Sequence, residues 1–373
     1  MSLRILHVID HLGYGGAPMV VKNIAERIDI SRFETSVCAL RTNPRAMKIE
    51  AEVINLEHGR YDPLAIHTIA RLCKHRRIDI LHCHLQKSVV AGLIAASRCS
   101  AKIVIHEHGP IFRGGTGCIY RMCLRCLGSR ATAAIANSEA AASALSKATR
   151  VPLQDIPVIA NFIDFRRFDP ARHNRNKARA NLGITDDEVA IGFVGRLNAC
   201  KGVDTLLQAA SILCKKGLPC RFIIIGEGSE RESLEKLSQD LQIERTVTFT
   251  GLCENTAELM AALDVAVVPS RREAFGIVAV EFMRMRVPVI AAGVGGLPEL
   301  IEDGKTGILL EDINPQTIAE AVEKLAADDS IRAAITDGAE IFCRKFDGKE
   351  QIQQIMDLYD RLGGSSPQPA NRC

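Results

Sequence analysis

Short apolar runs alternate with helical stretches along nearly the whole chain, and this alternation constrains the fold more than any other feature. In the first half it predicts strands at 4–9, 34–40, 52–55, 80–82, 101–106 and 133–136. Helices are predicted between them, at 17–27, 63–75, 88–98 and 138–148. Strands that alternate with helices form parallel sheets covered on both faces, so the first half is predicted to be a doubly wound α/β domain.

The alternation stops at 161–176, a polar stretch without strand or helix periodicity that we interpret as a linker. It then restarts, which predicts a second α/β domain and gives boundaries of 1–164 and 165–350. A helix is predicted at 351–362, and the Gly/Ser/Pro-rich end, 363–373, is predicted to be disordered. The second set of predicted strands is 190–194, 221–225, 246–250, 265–268, 289–291 and 307–309, with helices between them that include 203–213, 229–240 and 315–326.

The segment 271–281, RREAFGIVAVE, follows one of these predicted strands and carries two acids, Glu273 and Glu281, around Gly276. A strand, a glycine turn and a new helix would present free backbone N–H groups, which favour an anion. Carboxylates on both sides can accept hydrogen bonds from sugar hydroxyls. A phosphate site flanked by two such acids suits a sugar nucleotide.

A second motif, GR-x4-KG at 195–202, follows the predicted strand 190–194. It would bring Arg196 and Lys201 to the carboxyl end of a strand, where open α/β sheets bind ligands. A guanidinium and an ammonium are the usual partners of a diphosphate, although a solvated surface pair is an alternative interpretation.

Histidines mark the ends of two predicted strands in the first half. His82 and His84 are two residues apart, as are His106 and His108, so each pair is predicted to share one face of the sheet. A zinc site is an alternative interpretation of these pairs. The glycine loop 13–16 also follows a strand, but Pro18 breaks the G-x-G-x-x-G pattern of dinucleotide-binding proteins.

Composition limits the possible partners. The absence of Trp and an aromatic content of 4% argue against nucleic-acid binding by base stacking. Residues 1–164 carry 21 Lys and Arg against 13 Asp and Glu, which favours phosphates or an anionic membrane surface. The segment 118–130 could lie on such a surface or be an ordinary amphipathic helix. The thirteen scattered cysteines, with no signal peptide and no apolar run long enough to span a bilayer, predict a cytoplasmic protein.

Together the motifs at 195–202, 273–281 and 293–301 (GVGGLPELI) resemble the retaining glycosyltransferases of family 4, in the GT-B superfamily. The resemblance extends from Ile5 to about Leu362. It implies two Rossmann-like domains, with the donor held by the second and the acceptor by the first, and a last helix that returns to the first domain. It implies neither a cofactor nor a metal, and no D-x-D segment follows a predicted strand.

The resemblance also implies roles for single residues. His108 would lie beside the transferred sugar, Arg196 and Lys201 would meet the diphosphate, and Glu273 and Glu281 would accept hydrogen bonds from the donor sugar and the ribose. The remaining implied positions are the donor-binding Gly15, Gly16, Gly226, Leu252, Phe275, Gly276 and Ile277, and His84 as a possible acceptor contact.

The predicted function is therefore the transfer of a sugar from a nucleotide-diphosphate sugar to a hydroxyl acceptor with retained configuration. The acceptor would be a saccharide or a lipid-linked saccharide in cell-envelope assembly. Two alternatives remain: a nucleotide-sugar 2-epimerase on the same architecture, and a non-catalytic subunit that binds a sugar nucleotide. Hydride transfer is disfavoured because the glycine fingerprint is absent.

Overall fold

The computed structural model describes residues 2–57, 64–109 and 116–364, and these form two α/β units. The first unit comprises the described residues up to Phe162 together with those from Gly348 onward, and the second comprises Ile163–Asp347. The predicted boundaries, 164/165 and 350/351, fall within three residues of these positions. Of the predicted disordered tail, Gly363 belongs to the last helix, and residues 365–373 lie outside the described residues.

The first unit contains a six-stranded sheet and the helices that cover it. Residue 63, the first of the predicted helix 63–75, lies outside the described residues. The strand predicted at 80–82 continues to His84. The strands are β1 Leu3–Ile9, β2 Phe33–Ala39, β3 Glu52–Asn55, β4 Ile80–His84, β5 Lys102–Glu107 and β6 Ala133–Ala136, and the helices are α1 Gly16–Arg27, α2 Leu64–His75, α3 Gln86–Ala95, α4 Thr116–Leu127 and α5 Glu139–Thr149.

The second unit repeats this plan with its own six-stranded sheet. Its first helix begins at Arg175, inside the stretch 161–176 that was interpreted as a linker. The elements are α6 Arg175–Asn181, β7 Val189–Val194, α7 Val203–Lys215, β8 Cys220–Ile225, α8 Arg231–Asp240, β9 Val247–Gly251, α9 Thr256–Met260, β10 Val265–Val268, α10 Ile277–Arg284, β11 Val289–Ala292, β12 Ile308–Leu310, α11 Pro315–Ala327 and α12 Asp329–Cys343.

Both sheets have the same strand order. The order is β3-β2-β1-β4-β5-β6 in the first unit and β12-β11-β10-β7-β8-β9 in the second, and every pairing is parallel. Numbered within each unit this is the order 3-2-1-4-5-6 of Rossmann-like folds. The chain reverses its direction of winding between β1 and β4 and between β7 and β10, so the carboxyl ends of these strands are where ligands are expected.

The last helix, α13 Lys349–Gly363, packs on the first unit. Tyr359 is fully buried, with its ring 5.7 Å from that of Phe33 and its hydroxyl 2.5 Å from Nδ1 of His82. Arg32, the residue before β2, forms an ion pair with Asp360 of this helix. The chain thus completes the first unit with residues that follow the whole of the second.

Candidate functional site

The predicted donor residues gather at the carboxyl edge of the second sheet. Gly195 and Arg196 follow β7, Gly226 follows β8, Leu252 follows β9, and Glu273 follows β10. In a parallel sheet these loops leave the same edge, so residues far apart in sequence come together.

Lys201 and Glu273 form the centre of this group. Nζ of Lys201 lies 2.5 Å from Oε2 of Glu273, and both side chains are largely buried. The hydroxyl of Ser270, itself fully buried, donates to the same carboxylate oxygen at 3.3 Å. A cation and a carboxylate from two different motifs thus occupy one site, where the cation can meet a phosphate and the acid a hydroxyl.

The loops that carry this pair are held together by contacts that the sequence did not indicate. The guanidinium of Arg271 donates to both carboxylate oxygens of Asp204, at 2.8 and 2.6 Å, and to the carbonyl of Ala199 at 2.7 Å. Gly202 has φ +68°, and a Cβ there would lie 2.0 Å from the carbonyl oxygen of Pro269. Glycine is required here because the β7–α7 loop rests directly on the end of β10.

Helix α10 begins at Ile277, four residues after Glu273, and its start can serve as an anion site. Its N-cap is Gly276, with no side-chain cap and no acid in the first turn, so the N–H groups of Ile277 and Val278 are left for a ligand. The side chain of Phe275 is buried against Phe346, which leaves its backbone for ligand contact. A Cβ at Gly295 would lie 1.6 Å from the carbonyl oxygen of Glu273, so the 293–299 loop packs against this turn.

Glu281 lies one turn into α10 and differs electrostatically from Glu273. It keeps some exposure but is densely surrounded by protein, and burial raises its pKa to about 7, against a smaller opposing effect of Arg167. A carboxyl group that has lost water without gaining a strong donor can take hydrogen bonds from a ligand's hydroxyls.

The other donor positions surround this pair. Arg196 is exposed, and no carboxylate lies within ion-pair distance of it in the described ranges. Backbone hydrogen bonds tie the neighbouring loops together, from Gly195 to Ile225 at 3.0 Å and from Gly226 to Gly251 at 2.9 Å. Leu252 is 38% exposed at the end of β9, an apolar surface that could support a base.

Five histidines of the first unit form one cluster: His7, His82, His84, His106 and His108. Strand register sets His7 opposite His82 and His84 opposite His106, and His108 follows β5. The predicted pairing within each strand end is observed, with ring centroids 4.2 Å apart for His82 and His84 and 4.0 Å for His106 and His108. His7 was not singled out in the sequence, because only the strand order shows that it lies beside β4.

Hydrogen bonds join three of these rings. Nδ1 of His7 lies 3.0 Å from Nε2 of His84, whose Nδ1 lies 2.9 Å from Nε2 of His108. His84 is fully buried and engaged at both nitrogens, so its side chain is not presented to an acceptor. His108 is half-buried, and both of its ring nitrogens point inward.

Burial keeps this cluster neutral. It lowers the pKa of His7 to about 4 and that of His108 to about 3, and it lowers the pKa of His82, His84 and His106 well below the usual value. Each ring therefore carries one N–H and one lone pair near neutral pH. Uncharged rings at such a site can bind hydroxyls or a metal ion, whereas they cannot supply a positive charge.

The glycine loop lies at the carboxyl end of β1. Gly15 is the N-cap of α1, no side chain caps this helix, and Gly15 and Gly16 are both exposed. The first turn of α1 contains no acid. Its backbone N–H groups are thus available to an anion in the same way as those of α10.

Two family models match the chain in succession. Residues 14–167 match the model described as Glycosyltransferase Family 4, and residues 174–341 match the model described as Glycosyl transferases group 1. The two matches meet close to the boundary between the units.

Curated relatives and solved structures agree with these matches. The chain is 27% identical over 385 residues to the D-inositol 3-phosphate glycosyltransferase of Corynebacterium jeikeium (strain K411), covering 93% of this chain and 92% of the relative. It is 32% identical over 252 residues to that of Corynebacterium urealyticum, covering 65% of this chain and 59% of the relative. The fold resembles Anabaena Alr3699/HepE in complex with UDP-glucose, with a TM-score of 0.81 at 24% identity over 96% of this chain and 100% of the other.

Proposed function

The chain belongs to the family 4 glycosyltransferases of the GT-B superfamily, and we propose that it moves a sugar from a nucleotide-diphosphate sugar to a hydroxyl acceptor with retained configuration. The acceptor is proposed to be a saccharide or lipid-linked saccharide in cell-envelope polysaccharide or glycolipid assembly. The chain would act in the cytoplasm, without a cofactor.

The pairing of Lys201 with Glu273 beside the uncapped start of α10 carries this proposal. A departing diphosphate gains negative charge in the transition state. Lys201, Arg196 and the helix N-terminus lie at one edge of one sheet, and we propose that they stabilise this charge. These groups would take the place of a metal ion at the diphosphate. Glu273 would accept hydrogen bonds from the donor sugar once the phosphate draws Lys201 toward itself.

Base and ribose would be held by the neighbouring loops. We propose that Glu281 accepts the ribose hydroxyls, because its carboxyl group has few internal donors, and that Gly226 and Leu252 border the base. Related HepE was solved with UDP-glucose, which makes a uridine donor a reasonable first substrate to test.

Retention needs no pair of closely spaced carboxylates in this scheme. We propose that the acceptor attacks the face that the diphosphate leaves, and that a phosphate oxygen of the leaving group takes the acceptor's proton. The protein then contributes charge stabilisation and orientation rather than a base.

The first unit would receive the acceptor and one side of the donor. We propose that Gly15 and Gly16 approach the phosphate or the acceptor through their backbone, and that His108 lies beside the transferred sugar. Because both ring nitrogens of His108 point inward, a direct ring contact with a sugar hydroxyl requires rotation of its side chain.

A membrane-linked acceptor would also need a surface that reaches the lipid. No helix in the described ranges is long and apolar enough to span a bilayer. Helix α4, however, exposes Ile119 and Met122 beside Arg125 while burying Tyr120 and Leu124. We propose that this face of α4 rests on an anionic membrane surface.

A panel of nucleotide sugars tests the function directly. Each donor is scored by its effect on thermal unfolding and by the release of nucleoside diphosphate, with and without a mixed saccharide acceptor. We expect one donor to raise the Tm and to be turned over slowly without acceptor. Binding without turnover with any acceptor would favour a binding subunit, and conversion of the free sugar nucleotide to its epimer would favour the epimerase.

A further inference from the structure

The structure brings together three histidines that no part of the proposed transfer reaction requires as a group. His84 ends β4, His106 lies near the end of β5, and His108 follows it. Each offers one ring nitrogen, and these nitrogens lie within 4.8 Å of one another. We propose that His84, His106 and His108 bind a divalent transition-metal ion of the zinc class.

The strongest support for a metal ion comes from the two ring nitrogens of His106. His106 is buried, and neither Nδ1 nor Nε2 has a hydrogen-bond partner among the described residues. A buried polar group without a partner is energetically costly, and a bound ion is one of the explanations for such a group in a native protein. One nitrogen of each neighbouring histidine lies within 4.8 Å of a nitrogen of His106, so a shared metal ion would satisfy the lone pair of His106.

The outer hydrogen bonds of these rings fit the tautomers that a metal requires, and the ion would replace the hydrogen bond between Nδ1 of His84 and Nε2 of His108. If Nδ1 of His84 binds the ion, its Nε2–H can donate to Nδ1 of His7, 3.0 Å away. If Nε2 of His108 binds the ion, its Nδ1–H faces Asn161, whose buried Oδ1 has no other partner among the described residues. Metal-binding histidines commonly donate their second nitrogen to such an outer acceptor.

The ligand set indicates which ion is expected. Three neutral imidazoles suit zinc, copper, nickel or cobalt and disfavour magnesium and calcium, which prefer oxygen ligands. His108 is only half-buried, which gives an ion a route to the site and leaves a fourth position for water. The other three-histidine group, His7, His82 and His84, is fully buried, and His82 already contacts Tyr359 through Nδ1.

This inference departs from the sequence-based expectation of no metal, but it leaves the proposed diphosphate chemistry unchanged. Arg196 and Lys201 belong to the second unit, whereas the three histidines belong to the first.

Metal binding by untagged protein tests the proposal without reference to activity. The protein is dialysed against chelator, titrated with ZnCl₂ in competition with a chromogenic chelator, and separately loaded with Co²⁺ to record ligand-field absorption. We expect one Zn²⁺ per chain and a tetrahedral Co²⁺ spectrum. His106→Gln should weaken Zn²⁺ binding by about 100-fold, at least as much as the loss of an outer-shell partner.

The matched control is His67→Gln, which changes an exposed histidine on α2 and should bind Zn²⁺ like the wild type. If His106→Gln does not fold, His108→Gln, at the half-buried position, serves in its place with the same expectation. Absence of stoichiometric Zn²⁺ binding by the wild type, or equal affinity in the wild type and the ligand variants, would overturn the proposal. Donor turnover by metal-free protein would leave the proposed function standing in either case.

Discussion

At the scale of single residues, the donor site rests on charged groups whose surroundings differ. Lys201 and Glu273 neutralise each other across 2.5 Å, whereas Arg196 is exposed and Glu281 has lost water without gaining a close cation. The two acids of one motif are therefore electrostatically distinct: one is paired, and the other has a raised pKa. Their different surroundings agree with the different hydroxyls proposed for them.

Lys201→Ala is expected to lower kcat by about tenfold or more, because it removes a cation that faces the leaving diphosphate. The Tm should change little, since Glu273 keeps its hydrogen bond from Ser270. Steady-state kinetics and thermal unfolding measure the two effects. The control is Lys216→Ala, an exposed lysine paired with Glu323, and unchanged turnover in Lys201→Ala would remove this residue from the mechanism.

Glu281 makes stability depend on pH. Its pKa is about 7 when folded and near 4.5 when unfolded, so the folded state holds the proton across this window and the unfolded state does not. Its contribution to stability therefore falls as pH rises from about 4.5 to 7 and stays low above that. Glu281→Gln should raise the Tm at pH 8 but weaken donor binding about tenfold or more, by loss of a charged acceptor.

Thermal unfolding across pH and donor titration measure these two effects of the Glu281 variant. Glu107, with a pKa also raised to about 7 by burial, will keep part of the pH dependence in the variant. Glu320→Gln, at an exposed position on α11, is the control. A variant no more stable than the wild type at pH 8 would show that Glu281 is adequately solvated.

At the scale of elements, the site depends on how loops rest on one another. The β7–α7 loop is fixed to the end of β10 by the Arg271–Asp204 ion pair and by the close approach at Gly202. Lys201 precedes that glycine, so its position follows from the packing of the loop.

Gly202→Ala therefore tests the packing of this loop, and Gly183→Ala is a closely matched control. Gly183 has nearly the same φ, +65° against +68°, but a Cβ there meets nothing within 4 Å. Both substitutions should cost roughly 1–2 kcal/mol for the left-handed backbone, and Gly202→Ala roughly 1–3 kcal/mol more for overpacking. Chemical denaturation measures the difference, and equal costs would mean that the loop moves freely away from Pro269.

Helix α4 allows a test of the membrane proposal. Ile119 and Met122 are 60% and 61% exposed. Replacing both with Glu should weaken binding to anionic phospholipid vesicles at least about tenfold, because two apolar side chains lose their burial and two negative charges are added. Ile341→Glu, at a 68% exposed position on α12, is the control in vesicle sedimentation. Equal binding by both variants would exclude α4 as the contact.

At the scale of the whole molecule, the first unit is formed by two separate parts of the chain, the residues up to Phe162 and those from Gly348 onward. The first unit is completed only when α13 arrives, since Tyr359 is buried beside β2 and β4. The second unit is continuous from Ile163 to Asp347. The two units should consequently differ in how they respond to loss of the carboxyl-terminal residues.

A chain that ends at Asp347 is expected to have a destabilised first unit. A buried aromatic alone contributes about 3–5 kcal/mol, so the loss should exceed about 5 kcal/mol and lower the Tm of that unit by about 10 °C or more. Calorimetry should then resolve an early transition, with the second unit little changed. A chain that ends at Gly364 is the control, and identical transitions in both chains would show that α13 adds no stability.

Local sequence patterns were sufficient to predict the strands, the family and part of the histidine cluster. Short apolar runs located the twelve strands of the described residues to within a few residues, because the burial of a strand is recorded in its own neighbouring side chains. The motifs at 195–202 and 273–281 identified the family, since each supplies a compact set of functional groups. The pairing of His82 with His84 also followed from local geometry, because alternate residues on a strand share a face.

Only the tertiary structure determined which residues distant in sequence are in contact. His7 joins His84, and Arg271 joins Asp204, only because strand order and loop packing bring them together. The same holds for Tyr359, which contacts His82 across 277 positions of sequence. Sequence periodicity reports the environment of each residue but not the identity of its distant neighbours, so the histidine cluster had to be read from the folded chain. The return of the last helix to the first unit was expected only from the family resemblance, and its contacts with Phe33 and His82 appear only in the folded chain.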